Sequence, residues 1–231
     1  MKLLVIIPAY NEEESIVGTV EELRSVCPQY DFVVVNDGSH DGTVRLCREH
    51  GYPVLDCVTN LGLTSAVQAG MKYAWRKGYD AAVQFDADGQ HRPEYLPTML
   101  EQIEQGVDIV IGSRFVTEKK PVTARMLGSS LISAAIRLTC CQTIKDPTSG
   151  LRMYSRRIIR QFATELNIGP EPDTIAYFLK CGASVKEVQV EMRERMAGKS
   201  YLTMINSMKY MLQLGLSIIV VQPFRRKQNL S

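Results

Sequence analysis

Five short apolar runs, residues 3–7, 32–36, 53–57, 81–85 and 108–111, are rich in Val, Ile, Leu, Ala and Phe and do not alternate with polar residues. This pattern constrains the fold more than any other feature of the chain. A strand with one wet face alternates apolar and polar side chains. A strand without alternation is covered on both faces, as in a parallel sheet between helical layers. Amphipathic stretches over 12–26, 41–50, 64–77 and 93–105 separate the runs and are long enough for the crossover helices that parallel strands require. Ser39 or Asp41 can cap the second of them, and Pro93 suits the first turn of the fourth. The pattern predicts the α/β class: one Rossmann-like domain with a mainly parallel central sheet and helices on both faces.

With 231 residues, 45% apolar and 23% charged, the chain can bury a substantial core, which excludes a disordered protein. Sixteen Gly and ten Pro are ordinary usage, and no internal repeat is present. Six cysteines, at 27, 47, 57, 140, 141 and 181, show no CxxC and no metal-ligand spacing with the three histidines. Buried, reduced thiols in a cytosolic protein are expected. The apolar stretch at 3–7 is too short for a signal peptide and reads as a first buried strand. The net charge of +2 conceals a division: residues 114–160 hold ten Lys/Arg against Glu118 and Asp146, leaving 17 basic and 23 acidic residues elsewhere. Such a basic segment either meets an anionic partner or is a pair of solvated helices.

Ligands of open parallel sheets collect beyond the carboxyl ends of the strands, so the residues after each run are where chemistry is expected. PAYNEE (8–13), NDGSHDGT (36–43) and DADGQH (86–91) occupy three such places. No GxGxxG and no GxxxxGK[ST] is present, which removes the dinucleotide fingerprint and the usual phosphate-cradling loop. Carboxylates stand there instead. Asp86 and Asp88, two apart at a strand end, can point the same way, with Gln90 continuing the period. Two acids on one side suit a hard divalent cation that keeps open positions for a diphosphate, although a lone DxD is also an ordinary solvated turn. Asp37 can equally bond its own backbone in an Asp-Gly-Ser turn, and His91 alone reads as a surface residue.

In this order and on these strands, the three motifs resemble the family-2 glycosyltransferases of GT-A fold. The resemblance continues at Gly112-Ser113-Arg114, at Asp146-Pro147-Thr148-Ser149-Gly150-Leu151-Arg152 and at Arg195-Met196-Ala197-Gly198-Lys199-Ser200, and so covers residues 1–200. Within the family, DADGQH and DPTSGLR most resemble the polyprenyl-phosphate sugar synthases of the dolichol-phosphate mannose synthase type. The resemblance implies that Pro8, Ala9, Tyr10 and Glu12 line a nucleoside pocket in which Asp37 accepts from the base edge. It places Asp86 near the donor ribose or sugar. Asp88 and Gln90 would hold Mg²⁺ or Mn²⁺ against the diphosphate, stabilising the leaving group of a single, inverting displacement.

Arg114, Arg125 and Ser129 match positions that bind the acceptor phosphate in that type, with Arg152 and Lys199 as supplements. A phosphate acceptor is already ionised and needs no general base, whereas a sugar hydroxyl needs a positioned carboxylate. Asp146 or Asp173 would serve as that base if the acceptor were a glycan or glycolipid hydroxyl. The loop between Arg114 and Arg125 departs from the family pattern in being Lys-rich and lacking glycines. From 203 to 221 a helical projection gathers Thr203, Asn206, Lys209, Gln213 and Ser217 into one stripe, with apolar residues elsewhere. Lys209 and that stripe argue against a spanning helix. Residues 201–231 therefore read as an amphipathic tail ended by Pro223 and the basic Arg225, Arg226 and Lys227. It would lie in a membrane interface, or pack on the catalytic domain, on a second copy or on a small membrane protein. The expected activity is transfer of a sugar from a UDP- or GDP-linked donor to a polyprenyl phosphate, by a peripheral protein on the cytoplasmic membrane face, with no role for nucleic acid. A non-catalytic nucleotide-sugar-binding subunit is the competitor of a different class.

Overall fold

The computed structural model of the chain describes residues 1–166, 168–194, 204–225 and 230, without the side chains of 124, 125 and 204–208. Its centre is a seven-stranded sheet in the order β3-β2-β1-β4-β6-β5-β7. The strands are β1 (Leu3–Ala9), β2 (Asp31–Asn36), β3 (Val54–Asp56), β4 (Ala81–Gln84), β5 (Ile109–Ser113), β6 (Arg152–Ser155) and β7 (Val185–Gln189). All neighbours are parallel except β6, which runs antiparallel to both β4 and β5. The α/β class with a mainly parallel sheet is as expected, and the five apolar runs became β1 to β5.

Both faces of the sheet are covered, which is why its inner strands do not alternate. Leu4 and Ile6 of β1 enter one core, while Leu3, Val5 and Ile7 enter the other, each at most 2% exposed. Burying one such side chain stabilises the fold by roughly 1.5–3 kcal/mol. One layer contains α3 (Leu63–Arg76), α5 (Ala124–Cys140), α6 (Arg156–Thr164), α7 (Pro172–Lys180) and α8 (Met204–Leu216). The other contains α1 (Ile16–Val26), α2 (Thr43–Glu49) and α4 (Leu96–Glu104), the last entered through a 3₁₀ turn at Pro93–Tyr95. Pro93 stands at the start of that turn as expected, and Asp41 Oδ1 accepts from Thr43 N–H at the start of α2. All six cysteines are free; Cys27 and Cys47 are buried, but Cys141 is exposed.

The basic segment divides on folding. Arg156 donates to the Tyr79 carbonyl and lies over the Trp75 ring, and Arg157 pairs with Asp108 at 2.8 Å. Lys145 donates to the Val116 carbonyl. These cations hold parts of the chain together, although Arg157 and Lys145 remain exposed to solvent.

The described part of the C-terminal segment packs onto the domain. Met211, Leu214 and Ile218 enter the core, and α8 crosses α5 so closely at Gly128 that a side chain there would run into Met211. α8 continues into a π-helical turn, Ser217–Val221. The expected polar stripe is partly realised, since Lys209 and Gln213 are exposed, but Leu212, Leu216, Val220 and Phe224 share that outward side. No helix among the described residues is long and apolar enough to cross a membrane.

Candidate active site

β1 lies between β2 and β4, the place where the strand order reverses, so the segments after these three strands meet over one crevice. Ala9 pairs with Asn36, and Ile6 with Gln84, which sets the strand ends side by side. Asn11 adopts φ 55, a left-handed conformation that Asn tolerates. It ties the first loop to the second: its N–H donates to Ser39 Oγ at 3.0 Å and its Oδ1 accepts from His40 N–H at 2.8 Å. The Tyr10 ring meets His40 edge to face, so His40 joins Pro8, Ala9 and Tyr10 along this wall. Glu12 donates its N–H to Thr43 Oγ1, and its carboxylate accepts from Ser15 Oγ at 2.7 Å. Neither Asn11 nor His40 was singled out from the sequence; an Asn in a short strand-to-helix turn is the signal that could have found the first.

Asp37 is buried, and its two carboxylate oxygens accept from Leu61 N–H and Gly62 N–H, each at 2.8 Å. It thereby holds the start of α3 against the crevice, with lone pairs remaining for a base edge. The expectation of a simple turn aspartate gives way to a long-range clamp.

The DxD pair does not continue a strand, because β4 ends at Gln84 and residues 87–88 turn. Asp88, 4% exposed, closes the turn by accepting from Gln90 N–H at 3.0 Å. The Gln90 side chain donates to the Arg193 carbonyl at 3.3 Å. Asp86 is about one-third exposed and accepts from Gln84 Nε2 at 3.0 Å. His91 is buried, contrary to the surface position expected for it. Its Nδ1 accepts from Asp86 N–H at 2.9 Å, so the neutral ring carries its proton on Nε2, which faces Asp86 Oδ2 at 3.6 Å. His91 is thus a positioning residue for Asp86. The DPTSG segment closes over the same carboxylate, since a Cβ on Gly150 would sit 2.8 Å from Asp86 Oδ2. Gly150→Ala is expected to displace Asp86 and lower kcat by about 10²-fold, as ångström-scale misplacement of a reacting group does. Steady-state rates beside an unchanged circular dichroism spectrum check this.

Residues expected on the acceptor side come together because β6 is antiparallel: the segment leading into it, 146–151, lies beyond the carboxyl ends of β4 and β5, next to Arg114. Asp146 is fully buried and binds Arg114 through Nε at 2.7 Å and a second guanidinium nitrogen at 2.9 Å. Burial would raise the Asp146 carboxyl, but the Arg114 hydrogen bonds and charge outweigh it and hold the carboxyl below its ordinary range. A carboxylate so held is a poor proton acceptor, which corrects the expectation of Asp146 as a base. Asp173 accepts from Ser217 Oγ at 2.8 Å and from Gln222, so it anchors the C-terminal segment instead. Ser129 is buried and accepts from Thr148 Oγ1 at 3.3 Å, joining α5 to the Asp146 loop.

Arg152 does not belong with the anion ligands: it is 2% exposed, and its terminal nitrogens donate to the Pro147 and Pro170 carbonyls. Arg125 stands in the first turn of α5, one turn before Ser129, with its side chain outside the described residues. Lys199 also lies outside them, although Arg193, which precedes its segment, is bonded to Gln90 through backbone groups.

The sequence pattern described as "Glycosyl transferase family 2" matches residues 4–162, which include the three strand-end motifs and the Asp146 loop. The chain belongs to glycosyl transferase family 2. This family-2 chain is 35% identical over 215 residues to an undecaprenyl-phosphate mannosyltransferase of Micrococcus luteus, covering 88% of each. It is 32% identical over 227 residues to a polyprenol monophosphomannose synthase of Mycolicibacterium smegmatis, covering 93% of this chain and 86% of that one. Its fold matches glucosyl-3-phosphoglycerate synthase of Mycobacterium tuberculosis in complex with Mn²⁺ and UDP-glucose, with a TM-score of 0.69. That match has 18% identity and covers 94% of this glycosyltransferase and 79% of that chain, so it speaks for the fold alone.

Proposed function

We propose that the protein transfers a sugar from a nucleotide-sugar to a polyprenyl phosphate by a single inverting displacement. The observation that carries the acceptor class is the Arg114–Asp146 pair. The buried carboxylate is spent on orienting a guanidinium, so this side of the crevice is built to hold an anion and not to deprotonate a hydroxyl. The names of the Micrococcus and Mycolicibacterium relatives support the same class.

On the donor side, Pro8, Ala9, Tyr10, Glu12 and Asp37 receive the nucleoside, and Asp86, set by Gln84 and His91, faces the ribose or sugar. A divalent cation, Mg²⁺ or Mn²⁺, fits the oxygen-only donor set of Asp88 and Gln90. Among the described residues no three acidic, His or Cys side chains gather into a complete metal cage, so diphosphate oxygens would complete the coordination. When bound, the cation supplies neutralisation of the charge that grows on the leaving diphosphate. Arg114, Arg125 and Ser129 orient the acceptor phosphate for attack on the anomeric carbon from the opposite face.

The acceptor's polyprenyl chain lies in a bilayer, and a peripheral position on its cytoplasmic face follows from this reading. Leu127, Leu131 and Leu138 of α5, Leu216 and Val220 of the helix that packs on it, and Phe224 in the turn that follows are exposed. The described part of the 201–231 tail then acts both as part of the packed core and as a lipid-facing surface. Leu216→Glu with Phe224→Glu is expected to abolish co-flotation with anionic vesicles, and unchanged flotation would exclude this surface. The activity itself is tested with purified protein, a panel of labelled UDP- and GDP-sugars, a short polyprenyl phosphate and Mg²⁺, Mn²⁺ or chelator. Lipid-linked product with one donor, lost with chelator, is the expected result. Absence of lipid product with every donor would overturn the reading.

A further inference from the structure

Lys120 has no part in the site as described so far. It sits in the Lys-rich loop between β5 and α5. Its Nζ donates to Ser129 Oγ at 3.1 Å and approaches Ser133 Oγ at 3.5 Å. It also lies 5.6 Å from the centre of the Phe115 ring, the same ring that the Arg114 guanidinium overlies at 5.1 Å. Two cations therefore approach one aromatic ring, and one of them also binds Ser129.

Their electrostatic situations differ. Arg114 is matched by Asp146, whereas Lys120 forms no ion pair among the described residues, and its hydrogen bonds go to neutral hydroxyls. Partial burial pushes its pKa down, with the Arg114 charge acting in the same direction and the nearby Asp146 and Glu187 carboxylates offsetting part of it. A half-desolvated ammonium on hydroxyl partners gains a charge-assisted hydrogen bond when a phosphate oxygen arrives.

We propose that Lys120 is a further acceptor-binding residue, its ammonium donating to a non-bridging phosphate oxygen of the polyprenyl phosphate beside Arg114. This rests on the phosphate-acceptor reading and adds to it a charge from the loop, so that an acidic head group is selected over a neutral one.

The test compares Lys120→Gln and Lys120→Arg with wild type in the lipid-phosphate assay. Lys120→Gln is expected to raise the acceptor KM by about tenfold or more, the size of one charge-assisted hydrogen bond, while Lys120→Arg recovers most of it. The donor KM and kcat are expected to change by less than about twofold, because uniform binding of the acceptor is what is lost. Direct binding of a short polyprenyl phosphate to Lys120→Gln weakens by the same factor. Lys120→Met, which keeps the stem and removes the charge, repeats the test should the Gln variant fail to fold. An unchanged acceptor KM and affinity in the charge-removing variants would overturn the Lys120 proposal and leave the function intact. Wild-type protein that glycosylates only a hydroxyl acceptor would overturn both.

Discussion

Asp88→Asn is expected to lower kcat by about 10²–10³-fold at saturating donor, because it weakens the hold on the cation proposed to offset the charge developing on the diphosphate. The turn should survive, because the Asn side-chain oxygen can still accept from Gln90 N–H as Asp88 does at 3.0 Å. What disappears is the negative charge of a nearly buried carboxylate, and with it, in the proposed site, affinity for a hard cation. The variant should therefore need much more Mn²⁺ or Mg²⁺ for half-maximal rate, with an unchanged circular dichroism spectrum. A variant that keeps its rate and metal requirement within about twofold would remove Asp88 from the metal site, since the loss of a charged ligand is worth far more than that.

Arg114→Ala is expected to cost about 3–5 kcal/mol of stability at neutral pH, because it strands the fully buried Asp146 carboxylate without its partner. Asp146→Asn should cost less, since Arg114 keeps about one-quarter of its side chain in solvent and can recover hydration there. The pH dependence has a definite sign. The Asp146 carboxyl is held below its ordinary value of 3.8, so the pair stabilises the fold above that pH and loses this contribution as pH falls through the lowered value. The gap between wild type and Arg114→Ala in urea unfolding should consequently be widest near neutrality and shrink in acid. A gap under about 1 kcal/mol at pH 7 would mean that the pair behaves like an exposed one. The same variant should lose binding of the lipid phosphate, whereas Asp146→Asn should retain part of it with a less well oriented guanidinium.

The first half of the fold was legible because it obeys local rules. Strands β1 to β5 announce themselves as apolar runs, and their intervening helices as amphipathic stretches, so only the ends moved: the run at 81–85 lost Phe85 to the turn that carries Asp86. β6 was not legible. It is four residues long, begins with Arg152, and exists only because β4 and β5 lie on either side of it. β7, Val185–Gln189, pairs on one side only, as an edge strand, and carries the charges that an edge tolerates.

The site divides in the same way. PAYNEE, NDGSHDGT and DADGQH could be placed from the chain alone, since each follows a strand whose direction the apolar pattern reveals. Their partners could not. Asp37 clamps residues 61 and 62, His91 sets Asp86 and Gly150 clears space for it, and each of these depends on how the sheet brings distant loops together. The basic segment is the clearest case. Ten positive charges in 114–160 look alike in sequence, yet Arg152, Arg156 and Arg157 serve backbone carbonyls, an indole ring and a buried acid, while Arg114 binds Asp146 and Lys120 binds Ser129.

By itself the sequence determined the class of fold, the crevice at the strand ends and the family, because periodicity and strand-end motifs are local properties that every neighbouring residue reinforces. Only the tertiary structure decided which carboxylates and cations remain available for chemistry. Availability depends on burial and on the partners a charge meets, and those partners stand dozens of residues away: Asp146 is 32 residues from Arg114, and Asp173 is 44 from Ser217.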